Sequence, residues 1–240
     1  MEDLENWQAK FEECNYARKL LDKVTSLNSI IQAPPVDVVE VKKAIYYARK
    51  YHSTQMRQSG EPYYSHPIEV AYMVSDYLFK TDIIVTSVLH DTIEDTELTQ
   101  EDVSQLFGAK VANQVMDLTR IKGDGIKISS AKMVEILYQE KKYDVLLIKL
   151  FDRLHNMQTI GAKSPEKIKK IIEETITHIV PLSMQLQTLI IKQRIVELCY
   201  QHLYVKQHKV FDWKQFDSPW LKPIYQNVVS QICNQYLLVS

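Results

Sequence analysis

Apolar residues recur at spacings of three and four through nearly every long segment of this 240-residue chain, and only five glycines and eight prolines interrupt them. That period lays one apolar stripe along a helix, whereas a half-buried strand needs strict alternation. The spacing therefore predicts an all-α fold, and 45% hydrophobic residues are enough to bury a sizeable core.

Breaks in the pattern set the organisation. A first helix is predicted over about 4–27 and stops at "NSIIQAPPVD", because the rings of Pro34 and Pro35 cannot continue a helical hydrogen-bond ladder. Further helices are predicted over about 36–52, 67–79 and 81–94, with Gly60 and Pro62 enforcing a loop before Pro67 opens a helical first turn. Thr99 with Asp102 reads as an N-cap signal, Gly108 as a stop, and "RIKGDGIKISS" as the most loop-like stretch. "AKMVEILYQEKK", "YDVLLIKLFDRLHNMQTI" and the segment after "SPEK" at 164–167 read as helices, the last reaching about 204 with a bend at Pro181. The expected organisation is an N-terminal helical extension over 1–33, a main domain over 36–195 and a C-terminal helical, aromatic extension over 196–240. Either extension is a candidate for capping, regulation or a homo-oligomer interface; Trp213, Trp220 and Tyr225 read as packing residues.

A formal net charge of −1 argues against holding nucleic acid or an anionic membrane by bulk electrostatics, so an anionic ligand must be met locally. Three widely separated cysteines with no CxxC pair fit a reducing compartment. The segment "MEDLENWQAK" is acidic and polar where a secretory signal is basic then apolar, and no apolar run approaches the ~20 residues of a membrane span. The expectation is a cytoplasmic protein without nucleic-acid or membrane partners.

Chemistry concentrates in "LHDTIEDT", residues 89–96. On a continuous helix His90, Asp91, Glu94 and Asp95 project over one patch, and carboxylates crowded this way repel. A solvated helix end is one explanation. The histidine favours another, because His beside Asp offers a neutral nitrogen and an anionic oxygen to a divalent cation that relieves the repulsion. Further ligands must come from elsewhere. His66, before Pro67 in "GEPYYSHPIEV", can point between helices, although a cap or packed core histidine is the plainer reading. Asp152 interrupts the aliphatic run Leu146, Leu147, Ile148, Leu150, Phe151, which is costly unless the acid is paired or binds a cation; Arg153 and His155 are competing partners. Together His66, His90, Asp91 and Asp152 make a two-histidine, two-aspartate set that suits manganese, iron or zinc better than magnesium or calcium.

"HSTQMRQSGEPYYSHP", "LHDTIEDT" and "KLFDRLHNM", in this order and spacing, resemble the hydrolase domain of the RelA/SpoT-homologue family, within the HD superfamily. The resemblance spans about 38–186 and implies an HD-domain helical bundle flanked by N- and C-terminal extensions. It implies one Mn²⁺ on His66, His90, Asp91 and Asp152, and catalytic roles in activating water for Glu94 and Asp95. It implies removal of pyrophosphate from the 3′ position of the alarmones ppGpp and pppGpp, leaving GDP or GTP, with Arg57, Ser59, Asn156 and Thr159 binding the nucleotide. Small animal members also resemble NADPH phosphatases, so a 3′-phosphatase acting on NADPH or another nucleotide is an alternative. A non-catalytic alarmone-binding module is a second alternative. Arg57 can neutralise phosphate or stack on a base, or simply be a loop cation.

The chain departs from the family pattern in four places. Gln58 and Gln158 stand where basic residues are common, "IKISSAKMVEIL" lacks the usual Asn and Arg, and Phe151 replaces a small residue before Asp152. None is a candidate metal ligand, and the glutamines bear on nucleotide choice. Only about 45 residues follow 195, where bifunctional members continue into a synthetase, so hydrolysis without synthesis is expected.

Overall fold

The computed structural model describes residues 6–120 and 127–205. Among these the regular structure is helical, apart from isolated bridge residues, of which Met56 and Pro62 pair antiparallel. Packing divides the chain into two compact units, Met1–His155 and Asn156–Ser240.

The first unit starts with α1 (Trp7–Lys10), α2 (Asn15–Ile30), α3 (Val38–His52) and α4 (Ser65–Val74). It continues through α5 (Thr81–Leu89), α6 (Thr92–Asp95), α7 (Gln100–Phe107), α8 (Ala109–Leu118) and α9 (Ser130–Gln139), and α10 (Tyr143–Gln158) begins in it. At its centre is α5, which packs against α3, α4 and α8. Every residue from Ile83 to Leu89 is buried, as expected of a helix that is apolar nearly all round. Its two buried hydroxyls are satisfied, Ser87 Oγ donating to the Ile83 carbonyl at 2.7 Å and Thr86 Oγ1 to Gln114 Oε1 at 2.7 Å. The most deeply buried helix thus delivers His90 at its C-terminal end.

Caps fix the helix starts. Asp37 Oδ1 accepts from the amides of Val39 at 2.8 Å and Glu40 at 3.2 Å, while its own amide donates to Thr81 Oγ1 at 2.9 Å. One residue therefore caps α3 and ties it to the start of α5. Asp37→Ala is expected to lower unfolding free energy by about 1 kcal/mol in denaturant melts, with helicity otherwise retained. Thr99 and Asp102 form a reciprocal capping box on α7, as their spacing predicts. Gly108 joins α7 to α8 at φ +86°, a conformation that favours glycine.

Several predicted helices are shorter or divided. The 4–27 segment is α1 and α2, separated by an extended link through Phe11 and Cys14. The segment predicted over 67–79 starts at Ser65 and ends at Val74. The 81–94 segment breaks after Leu89, because His90 Nδ1 bonds the Ser87 carbonyl at 2.8 Å and Thr92 Oγ1 the Leu89 carbonyl at 2.7 Å. Side chains there take carbonyls that a continuing helix needs.

In the second unit, α11 (Pro165–Glu174), α12 (Val180–Gln185) and α13 (Leu189–Tyr200) occupy the stretch predicted as one long bent helix. The bend is a π-helical turn at Thr175–Ile179, just before Pro181, whose missing N–H and bulky ring disfavour an ordinary ladder. Leu186 ends α12, and Gln187 turns the chain at φ +56°. No helix among the described residues is long and apolar enough to cross a membrane. The expectations for Trp213, Trp220 and Tyr225 lie outside the described residues.

Candidate metal centre

Three segments of the first unit converge. The loop between α3 and α4 is folded by backbone bonds from Arg57 N to Glu61 O at 2.8 Å and from Tyr63 N to Gln55 O at 2.9 Å, with Gly60 at φ +89°. It hands the chain to α4, whose second residue is His66. The end of α5 supplies His90 and Asp91, and α10 supplies Asp152 and His155.

His66, His90 and Asp152 are buried, and each offers a ligand atom within 4.8 Å of the others. His66 Nε2 lies 3.1 Å from Asp152 Oδ1 and 3.7 Å from Asp91 Oδ2. His90 Nε2 lies 3.2 Å from Asp91 Oδ1 and 3.9 Å from Asp152 Oδ1. Ligand atoms about 2.1 Å from a transition-metal ion stand roughly 3.0 to 4.2 Å apart, so His66, His90 and Asp152 have the spacing of a partial coordination shell, and Asp91 borders it with one oxygen near each histidine. His90 carries the sharper sign. Its Nδ1 donates to the Ser87 carbonyl, which leaves a lone pair on Nε2, and that nitrogen is buried without a hydrogen-bond partner. An orphaned lone pair facing two carboxylates fits a cation.

The electrostatics agree. Burial pushes the His66 imidazole below its usual value despite Asp152, and burial beside His66 and Arg57 lowers His155 to about 3. Burial thus disfavours the charged form of both rings. Burial pushes the Asp152 carboxyl up, but the Lys149 ammonium, with His66, outweighs it and holds the acid well below the carboxylate range. Lys149 Nζ donates to Asp152 Oδ2 at 2.6 Å, one turn back on α10, leaving Oδ1 toward the histidines. Asp152 is therefore both ion-paired and aimed at the site.

The second half of HDxxED parts into two directions. Glu94 accepts from the Arg120 amide at 2.9 Å, from its Nη2 at 2.6 Å, and from Lys127 Nζ at 3.1 Å. Burial pushes its carboxyl up, but the Arg120 and Lys127 bonds dominate and draw it down to about 2. Asp95 is exposed; its Oδ2 accepts the Tyr63 hydroxyl at 2.6 Å, and its carbonyl accepts Gln55 Nε2 at 2.9 Å. The same hydroxyl lies 3.3 Å from Asp91 Oδ2. The break between α5 and α6 rotates the four residues off a common helical patch.

Among the nucleotide-binding candidates, Arg57 is half-buried and its charge acts on His155. Ser59 is exposed, with Oγ 3.4 Å from Glu61 Oε2. Asn156 follows His155 on α10 and Thr159 follows the helix end, both in the second unit, where Thr159 Oγ1 meets the Asn156 carbonyl at 3.5 Å. Gln58 and Gln158 are exposed, and Phe151 is buried with its ring 5.1 Å from that of Tyr77.

Tyr63, Lys149, Arg120 and Lys127 escaped the sequence reading. Lys149 at i−3 from Asp152 is visible as helical spacing; the others act across 26 residues or more and carry no local signal. His52 and Gln55, three apart in the quoted loop string, bond at 2.8 Å, and His52 stacks on Tyr63 at 4.7 Å.

An HD-domain family model matches residues 44–186, and the chain belongs to that family. GTP pyrophosphokinase rsh of Brucella ovis is 36% identical over 175 residues, 71% of this chain and 23% of that protein. The bifunctional (p)ppGpp synthase/hydrolase SpoT of Escherichia coli K12 is 35% identical over 194 residues, 77% of this chain and 27% of that protein. The guanosine-3′,5′-bis(diphosphate) 3′-pyrophosphohydrolase of Escherichia coli O157:H7 matches equally. The RelA/SpoT resemblance read in the motifs holds, and the aligned stretch spans about a quarter of these relatives' length. A solved structure reported as a metazoan ortholog of SpoT that hydrolyzes ppGpp aligns with 70% of this chain and 88% of its own, at TM-score 0.48 and 20% identity.

Proposed function

We propose that the chain is a manganese-dependent hydrolase that removes the 3′-pyrophosphate of ppGpp or pppGpp, giving GDP or GTP. Its main support is the buried, unpartnered His90 Nε2 set among His66, Asp91 and Asp152, in an HD-family chain whose relatives carry (p)ppGpp hydrolase names. A divalent ion, when bound, supplies Lewis acidity to the phosphoryl group and the attacking water.

On this reading His66, His90, Asp91 and Asp152 hold the ion, and Lys149 fixes the Asp152 carboxylate. Asp95, oriented by Tyr63, takes the proton of the attacking water. Glu94 anchors Arg120 and Lys127 beside it, so the two acids have separate work. Arg57 and Ser59 carry nucleotide binding on the loop of the first unit; the family resemblance adds Asn156 and Thr159, whose side chains have the donor and acceptor groups that a phosphate, ribose or base edge requires.

The 240-residue chain with Mn²⁺ and ppGpp is expected to release pyrophosphate, and Asp91→Asn to lose that release. Wild-type protein that binds ppGpp without turnover favours the binding-module alternative. Exposed Gln58 and Gln158, uncharged where the family resemblance implies cations, favour one second reading, a phosphatase acting on a less charged nucleotide such as NADPH. A panel of ppGpp, pppGpp, NADPH and nucleoside 3′-phosphates under one condition separates the two by kcat/KM.

A further inference from the structure

His66 Nδ1 and His155 Nδ1 lie 2.8 Å apart in a buried contact, with ring centroids 4.8 Å apart. Two ring nitrogens this close need one proton between them, since two protons clash and two lone pairs repel. That shared proton has two settings. In one, His155 Nδ1–H donates to His66 Nδ1, and His66 carries its proton on Nε2, donating to Asp152 Oδ1 at 3.1 Å. In the other, His66 Nδ1–H donates to His155 Nδ1, and His66 Nε2 bears a lone pair.

We propose that His155 is the positioning residue of the metal centre, the acceptor that holds His66 in the tautomer able to ligate a divalent ion. This rests on the reading of His66 and Asp152 as ion ligands. An ion on His66 Nε2 is compatible with the second setting alone. Loading the ion releases the His66 Nε2 proton, moves the shared proton from His155 Nδ1 to His66 Nδ1, and lets His155 take one proton on Nε2. Each ring keeps one proton, so the exchange is balanced: one proton leaves and one enters. The two histidines are then set by different devices. His90 is held by the Ser87 carbonyl, which only accepts and so fixes a single tautomer. His66 is held by a group that can donate or accept, so its readiness depends on His155.

Titration calorimetry of the full chain with Mn²⁺ tests this. His155→Leu, which fills the space without an acceptor, is expected to weaken Mn²⁺ binding about 10- to 100-fold, the usual effect of losing a ligand's outer partner. His155→Asn places an amide oxygen near the Nδ1 position and is expected to stay within about threefold of wild type. Wild-type affinity in His155→Leu, or equal weakening in both variants, overturns the assignment, the latter by assigning His155 a packing role. Should the leucine variant fail to fold, ¹⁵N histidine spectra of the Zn²⁺-loaded wild type decide. They are expected to show His66 protonated on Nδ1 and His155 bare on Nδ1; a proton on His155 Nδ1 refutes the proposal. Failure of the underlying reading looks different: the wild type binds no Mn²⁺, or Asp152→Ala binds it unchanged.

Discussion

Asp152→Asn is expected to abolish Mn²⁺-dependent pyrophosphate release, lowering kcat on the order of 10³-fold or more, and to weaken Mn²⁺ binding in calorimetry. The amide keeps the shape of the side chain but loses the charge and most of its basicity toward a cation. It also strands Lys149, whose ammonium meets Asp152 Oδ2 at 2.6 Å with only 13% of its side chain exposed. Leaving one buried charge unpaired costs about 3 kcal/mol, so a melting shift is expected alongside the loss of activity. The double variant Asp152→Asn with Lys149→Met separates the two effects. Removing the stranded ammonium is expected to recover most of the stability and none of the activity. If activity returns with stability, Asp152 is a structural ion-pair partner and the ion ligand set is wrong. Turnover by the single variant at wild-type rate leads to the same conclusion.

That test bears on what periodicity can disclose. Asp152 stands out because an acid inside "LLIKLFDRL" breaks an apolar stripe, and burial turns that anomaly into a pairing requirement. Its partner was less legible: Arg153 and His155 are neighbours in the text, yet Lys149 at i−3 reaches the carboxylate and His155 turns to His66. The all-helical architecture was legible for the same reason that its boundaries were not. A stripe at spacing three and four survives a helix break, so α5 and α6 read as one element. The break itself lies in hydrogen bonds from His90 and Thr92 to carbonyls three residues back, which hydrophobic pattern does not record. Loop contacts were the least visible. Tyr63 reaches Asp95 across 32 residues and Arg120 reaches Glu94 across 26, and no local spacing encodes such pairs.

Asp95→Asn and Glu94→Gln are expected to differ, although HDxxED presents them as neighbouring equivalents. A base must keep a lone pair free and a pKa that lets it accept a proton. Both Glu94 oxygens meet Arg120, Lys127 adds a bond to Oε1, and the carboxyl is drawn down to about 2, so it is a weak base at neutral pH. Asp95 accepts the Tyr63 hydroxyl on Oδ2, and among the described residues its Oδ1 accepts no hydrogen bond. Asp95→Asn is therefore expected to lower kcat by about 10²- to 10⁴-fold while Mn²⁺ affinity holds. Glu94→Gln is expected to lower kcat less and to act on stability, because Arg120 and Lys127 lose their shared counter-charge. The sign follows from the depressed pKa. A group lowered from 4.5 to about 2 on folding stabilises the native state fully above pH 4.5, and that contribution fades as pH falls through 2. The stability gap between wild type and Glu94→Gln, from urea melts, should be full at pH 7 and close between pH 4.5 and 2. A larger loss of kcat in Glu94→Gln than in Asp95→Asn reverses the assignment and makes Glu94 the base, with Arg120 and Lys127 as the cations that its substrate displaces.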